Sequence, residues 1–175
     1  MIDQLEAITT ERLRLREPKA DDAGPLAALA NDFDVVRMTA SMPFPYTRAH
    51  ANEFIGRMAA RDRGREAVFA IDHAGDGPIG VLGFHPKDGE PPELGYWIGR
   101  PFWGRGLATE AVKGALAWAD GAWARRWVVA GHFADNPASG RVLGKAGFLY
   151  TGVVKPLFSK ARGADVPSRM MVRLA

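Results

Sequence analysis

Gly104 and Gly106 stand between a stretch that reads as a β-strand and one that reads as an α-helix. Glycine leaves room for backbone N–H groups to converge, and a helix start adds unpaired donors and the positive end of its dipole. Such a junction can hold phosphate or pyrophosphate through main-chain donors. Arg100 and Arg105 bring positive charge beside it. Two familiar phosphate loops are excluded by the wording, since no Gly-Lys-Ser/Thr closes the segment and no third glycine stands at dinucleotide spacing. A tight turn that needs glycine only for backbone freedom is the other reading of the same two residues.

Other chemistries are narrowed by what is missing. There is no cysteine, which removes disulfides, thiolate metal sites and a cysteine nucleophile together. The histidines are scattered, so the expected metal is none. Of them, His132 falls within an apolar strand, and His85 lies by a turn before Pro86. Glu93 opens a strand beside Pro91 and Pro92, where a carboxylate is ordinarily solvated. Asn136 followed by Pro137 is a favourable N-cap and first helical position.

The elements that must position these residues follow from periodicity and breakers. Residues 12–16 alternate basic and apolar side chains, as a strand with one buried face does. Asp21 and Asp22 open a helix to about Asn31, with Leu26 and Leu29 on its apolar side. Residues 38–46 are irregular, and Thr47 caps a helix carrying Phe54, Ile55 and Met58. Strands are expected at 67–71 and 79–84 around a turn at 75–78, and at 93–99 after a proline-rich turn at 86–92. A helix over 107–123, a strand over 127–133 and a short helix from Pro137 that ends at Gly147 come next. Strands at 148–154 and 166–174 close the chain. This order implies an α+β (mixed α/β) domain with a mixed central sheet of about six to seven strands and about four helices.

The 175 residues suit one domain, 1–175, with a single substantial core. Apolar residues make up 47% and charged residues 25%, the balance of a soluble globular chain. The start of the chain lacks an apolar segment behind a basic one, and no apolar run is long enough to span a bilayer, so cytoplasmic residence is the expectation. A formal charge of +3, with no Lys/Arg run, suits a small anionic ligand and gives no stripe for nucleic acid. We expect neither a nucleic-acid nor a membrane partner.

Taken as a whole, Tyr96-Trp97-Ile98-Gly99 followed by Pro101-Phe102-Trp103-Gly104-Arg105-Gly106-Leu107-Ala108-Thr109-Glu110-Ala111 resembles the acetyl-CoA signature of the GNAT superfamily of N-acetyltransferases, and within it the RimJ/RimL-type branch. Residues 10–16 resemble that branch's opening strand. Asn136-Pro137-Ala138-Ser139 ahead of Lys145-Ala146-Gly147-Phe148 resembles its second CoA-contacting segment, and the 43–47 loop agrees as well. The resemblance implies a splayed sheet with CoA wedged between two strands. Trp97, Ile98 and Gly99 would offer main-chain groups to the pantetheine arm, with Asn136 and Ser139 also on the cofactor. Gly104, Arg105, Gly106, Leu107, Ala108 and Thr109 would hold the pyrophosphate, and Trp103 would pack the loop.

The implied reaction is attack of a primary amine, at a peptide N-terminus or on a small molecule, on the acetyl-CoA thioester in a ternary complex. It needs a base for the amine and a partner for the departing sulfur. Glu93 is the candidate base, directly or through water. Ser139 is the candidate acid or sulfur hydrogen-bond donor. The tyrosine that many superfamily members carry one helical turn further on is replaced here by Leu143-Gly144. Ser41, Phe44, Tyr46 and His132, with Phe158, are expected to line the acceptor cleft. The implied enzyme works as a monomer or a homodimer. A CoA-binding module without turnover, acting as a sensor, is the alternative.

Overall fold

A computed structural model describes residues 5–175. The opening residues 1–4, on which the expectation about a leader partly rests, lie outside the described residues. The strands are β1 (Ile8–Thr9), β2 (Leu13–Arg16), β3 (Ala67–His73), β4 (Gly77–Lys87), β5 (Glu90–Ile98), β6 (Trp127–Phe133), β7 (Leu149–Ser159) and β8 (Ala164–Leu174). The helices are α1 (Ala23–Ala30), α2 (Phe33–Val36), α3 (Arg48–Ala59), α4 (Leu107–Gly121) and α5 (Pro137–Lys145), with 3₁₀ turns at Ala20–Asp22 and Arg100–Phe102. Among the described residues no helix is long and apolar enough to cross a membrane.

The strands form one mixed sheet in the order β1-β2-β3-β4-β5-β6-β8-β7. Every pairing is antiparallel except β5 with β6, which run parallel and pair only at Glu93 with Val129 and Leu94 with Ala130. Beyond Leu94 the two strands diverge and open the sheet at its middle. The fold class is the expected mixed one, but among the described residues the sheet has eight strands instead of six to seven, and there are five α-helices instead of about four. The additions are the short elements: two-residue β1 and four-residue α2 carry too little periodicity to announce themselves.

Each helix covers a stripe of sheet. Leu107, Ala111, Val112, Ala115, Leu116 and Ala119 of α4 are buried against Leu15, Phe69, Ile71, Leu82, Phe84 and Leu94. Trp118 meets Phe69 edge-on at 5.2 Å between ring centroids. On the opposite face Leu26 of α1 and Met58 of α3 pack on Val68 and Val81. Fully burying one such phenylalanine contributes about 1.5–3 kcal/mol, so the central strands β3 and β4 anchor the domain.

Local signals set the ends. The Thr47 hydroxyl accepts from the His50 N–H while His50 Nδ1 accepts from the Thr47 N–H, fixing the start of α3. The basic alternation of β2 buries Leu13 and Leu15 and leaves Arg16 to pair with Asp22 at 2.7 Å and with Asp72. The expected proline-rich turn at 86–92 is much shorter: β4 runs to Lys87, Asp88 and Gly89 turn the chain, and β5 begins at Glu90. A register irregularity between His85 and Lys87 accommodates Pro86. Glu93 therefore sits inside its strand, not at its start.

Candidate active site

The loop after β5 is built to present donors. Gly104 and Gly106 have φ of +71° and +75°, a left-handed backbone that disfavours side chains. Gly106 is the N-cap of α4, and no side chain caps that helix. The first-turn amides of Leu107, Ala108 and Thr109 thus remain for an anion. Leu107 contributes main chain alone, because its side chain is buried in the core. Trp103, half exposed, ties the loop down through its indole N–H, which donates to the Ile98 carbonyl at 2.6 Å.

A clamp from the N-terminal strands holds the loop from outside. Arg12 donates to the Arg105 carbonyl at 2.9 Å and to Glu110 of α4 at 2.7 Å, and Thr10 donates to Glu110 at 2.6 Å. Burial pushes the Glu110 carboxyl up, but hydrogen bonds from Thr10 and Arg12 outweigh it and hold the group below the usual carboxylate range. Arg100 is not part of the phosphate loop's charge: it pairs with Asp32 at 2.8 Å and Asp34 at 3.3 Å beside α2.

From this loop a cavity of about 1500 Å³ runs through the gap between β5 and β6 toward α3. Because β5 has no strand partner on its β6 side after Leu94, its main chain there is open to an extended ligand. The expected main-chain groups are not all available. The Ile98 carbonyl is taken by Trp103, and the Gly99 N–H donates to the Ile79 carbonyl at 2.9 Å. The Gly99–Ile79 bond sets the odd-numbered residues of β5 toward β4, so the open edge is centred on Tyr96. On the β6 side, Asn136 caps α5, its side-chain oxygen accepting from the Ser139 N–H at 3.3 Å.

The Ser139 hydroxyl lies 2.8 Å from the Tyr96 hydroxyl. Tyr96 is the residue that reading the chain in order overlooks, because it stands on β5, far in sequence from the α5 segment where a tyrosine was sought. Burial pushes the Tyr96 phenol up to about 12, only partly opposed by its bond to Ser139. The phenol stays protonated and can donate to Ser139, freeing the serine O–H to face the cavity. The only sequence hint is its alternation with Leu94 and Ile98 on the α4-facing side of β5.

At the far end the Glu93 carboxylate pairs with Lys87 at 2.8 Å, and both line the cavity. Ser41, with Met38 and Met42, lines it from the irregular loop, and Phe158 lines it from β7. Tyr46 reaches the wall but is largely buried among Ala23, Ala27 and Val36. Phe44 requires correction: it is outside the lining, its half-exposed ring set edge-on against Phe33 at 5.4 Å. Nor is His132 a free base. It is buried, Nδ1 donates to the Phe133 carbonyl at 2.8 Å, and Nε2 accepts from the Tyr150 hydroxyl at 2.9 Å. Those partners hold the ring in place in the cavity wall.

A splayed mixed sheet, an uncapped helix start behind two left-handed glycines and a cavity joining them to Glu93 suit a transferase that binds an extended, phosphate-bearing cosubstrate. The family model of the acetyltransferase (GNAT) domain matches residues 12–149, and the chain belongs to that family. It is accordingly an acyltransferase with acetyl-CoA as donor cosubstrate. The chain is 26% identical over 163 residues to the uncharacterized N-acetyltransferase p20 of Bacillus licheniformis, covering 91% of this chain and 90% of that one. Among solved structures it is similar to Mycobacterium smegmatis RimJ in complex with CoA-disulfide, with a TM-score of 0.84, 20% identity and coverage of 97% and 88%. It is also similar to the GNAT-family acetyltransferase of Bacillus anthracis, with a TM-score of 0.83, 20% identity and coverage of 97% and 98%. At that identity the structural likeness speaks for the fold.

Proposed function

We propose that this chain transfers the acetyl group of acetyl-CoA to a primary amine, at a peptide N-terminus or on a small molecule, by direct attack on the thioester in a ternary complex. The observation that carries this reading is one continuous cavity. It joins the open N-terminus of α4 and the unpaired edge of β5 to Glu93, with Ser139 between them. Pyrophosphate on the α4 amides and pantetheine along β5 would set the thioester near the point where β5 and β6 part. Holding both reactants there converts a bimolecular encounter into a local one.

In this scheme Glu93 meets the incoming ammonium and draws its proton off, directly or through a water. Ser139, held by Tyr96, hydrogen-bonds the departing sulfur and positions it; proton donation by the serine is the lesser part of its role. The apolar wall of Met38, Met42, Leu157 and Phe158 would receive the carbon skeleton beside the amine. The test is a thiol-release assay with acetyl-CoA across peptide N-termini and small amines. Acetylation of one class above the rate without acceptor is the expected result. Tight CoA binding with no turnover on any amine would instead favour a CoA-binding sensor.

A further inference from the structure

Several ionisable side chains in the cavity have no part in the scheme above, and His85 is the one that stands across the strand pair from Glu93. His85 and Glu93 are cross-strand partners on β4 and β5, and Gly83 pairs with Gly95 one step further along the same face. Directly opposed residues bring their Cβ atoms to roughly 4.5–5.5 Å, so a single water can bridge the two side chains. The His85 ring is about half exposed, and it lies along the sheet instead of standing away from it. A β-carbon built on Gly83 would meet its Nε2 at 2.9 Å and its Cε1 at 3.0 Å, and one on Gly95 would meet Nε2 at 3.9 Å. The paired glycines thus make a floor on which the imidazole rests, with Nε2 over the part of the cavity where β5 begins to part from β6.

The other nitrogen is fixed from behind. His85 Nδ1 lies 2.7 Å from Glu66 Oε1. A carboxylate only accepts, so Nδ1 carries the proton and Nε2 of the neutral ring presents a lone pair. Glu66, His85, Lys87 and Glu93 all line the same cavity, and Glu53 and Arg57 of α3 line it from across. Glu93 is already in an ion pair with Lys87. A carboxylate so paired can pass a proton on but is a poor place to keep one at neutral pH, where imidazole is well matched.

We propose that His85, oriented by Glu66, is the destination of the proton released during acetyl transfer. This rests on the acetyl-transfer reading. As the amine nitrogen bonds to the thioester carbonyl carbon, one N–H proton moves through Glu93 or its water to His85 Nε2. The carbon–sulfur bond breaks, its electron pair stays on sulfur as the thiolate, and that thiolate is held at Ser139 until solvent protonates it. The imidazolium, balanced by Glu66, then returns its proton to solvent. His85 is a relay residue and Glu66 a positioning residue.

The test is the pH profile of acetyl transfer for the wild type, H85Q, E66Q and E93Q, beside the histidine tautomer read by long-range ¹H–¹⁵N NMR. In the wild type, kcat should rise with pH along a limb in the neutral region. H85Q should lower kcat by about 10²-fold, at the lower end of what general-base groups contribute, and abolish the limb with little change in either KM. E66Q should lower kcat toward that of H85Q, because the ring loses the carboxylate that orients it, and the Nδ1–H tautomer should no longer be fixed. E93Q should slow the reaction and keep the limb. An H85Q profile that retains the limb while E93Q loses it would overturn the proposal in favour of Glu93 as the final acceptor. The NMR arm needs no acceptor: an Nδ1–H tautomer at His85 is expected, and an Nε2–H tautomer would overturn the proposal. Absence of wild-type turnover on every amine is the separate failure of the acetyl-transfer reading, and the tautomer still decides the Glu66–His85 pair.

Discussion

Single hydroxyls and single carbons decide much of the chemistry in this cavity. Ser139 alone is a weak partner for sulfur, and Tyr96 at 2.8 Å supplies what it lacks, an O–H that stays protonated. A net hydrogen bond of about 0.5–1.5 kcal/mol corresponds to roughly a two- to tenfold effect. Tyr96→Phe should therefore lower kcat by about that factor, with the acetyl-CoA KM little changed, in a steady-state thiol-release assay. Because the two hydroxyls act in series, Y96F combined with S139A should be no slower than S139A alone. The shape of the pH profile should not move, since a phenol titrating at about 12 is neutral throughout the working range. Gly83 is a second such position. Its missing β-carbon is what lets the His85 ring lie down, so Gly83→Ala should push the flexible ring aside and bring kcat down toward that of H85Q while the fold persists by circular dichroism.

At the scale of elements, the loop and the start of α4 hold their shape through a clamp supplied by the N-terminal strands. Glu110 receives Thr10, the Arg12 main chain and the Arg12 guanidinium, and Arg12 also grips the Arg105 carbonyl. Replacing Glu110 by Gln, or Arg12 by Ala, should raise the KM for acetyl-CoA several-fold and leave kcat almost unchanged, because the clamp shapes the donor site and not the reacting atoms. The pH dependence has a definite sign. The Glu110 carboxyl is held below its unfolded value, so its contribution is complete above about pH 4.3 and disappears as pH falls through the lower folded value. Asp22 behaves likewise: burial pushes it up, but Arg16 and the Lys19 N–H outweigh that and leave it low. Thermal melts should then show the wild-type advantage over E110Q shrinking as pH falls below about 4.

The whole molecule is a sheet opened at its centre, and that opening is its least self-sufficient part. Strands β3 and β4 are paired on both edges and covered on both faces, whereas β5 and β6 share only two register positions. In the proposed complex a donor seated along the gap would substitute for the missing pairing. Saturation at 100 times the dissociation constant adds about 2.7 kcal/mol of stability. At roughly 2–4 °C per kcal/mol for a chain of this size, acetyl-CoA should raise Tm by about 5–10 °C in differential scanning fluorimetry. Truncating the hub is expected to cost more than the donor restores: Phe84→Ala, at a fully buried position, should destabilise by about 3–5 kcal/mol.

The sequence by itself determined the parts whose physics is local. The glycine loop, the α4 start, the Thr47 cap of α3 and the Asn136-Pro137 start of α5 each lie within a few consecutive residues, and backbone geometry there follows from residue type. Strand boundaries were less legible because prolines at 86, 91 and 92 read as breakers, while a register irregularity lets them lie in strand ends. Only the tertiary structure could decide which side chains meet. Tyr96 reaches Ser139 across 43 residues, Arg12 reaches Glu110 across 98, and His85 reaches Glu66 from a neighbouring segment. It also turned Phe44 out of the cavity and used up both nitrogens of His132. Those outcomes depend on strand order and register, which no single stretch of residues encodes. The donor loop is written in adjacent residues, and the proton's path is set by how the strands pair.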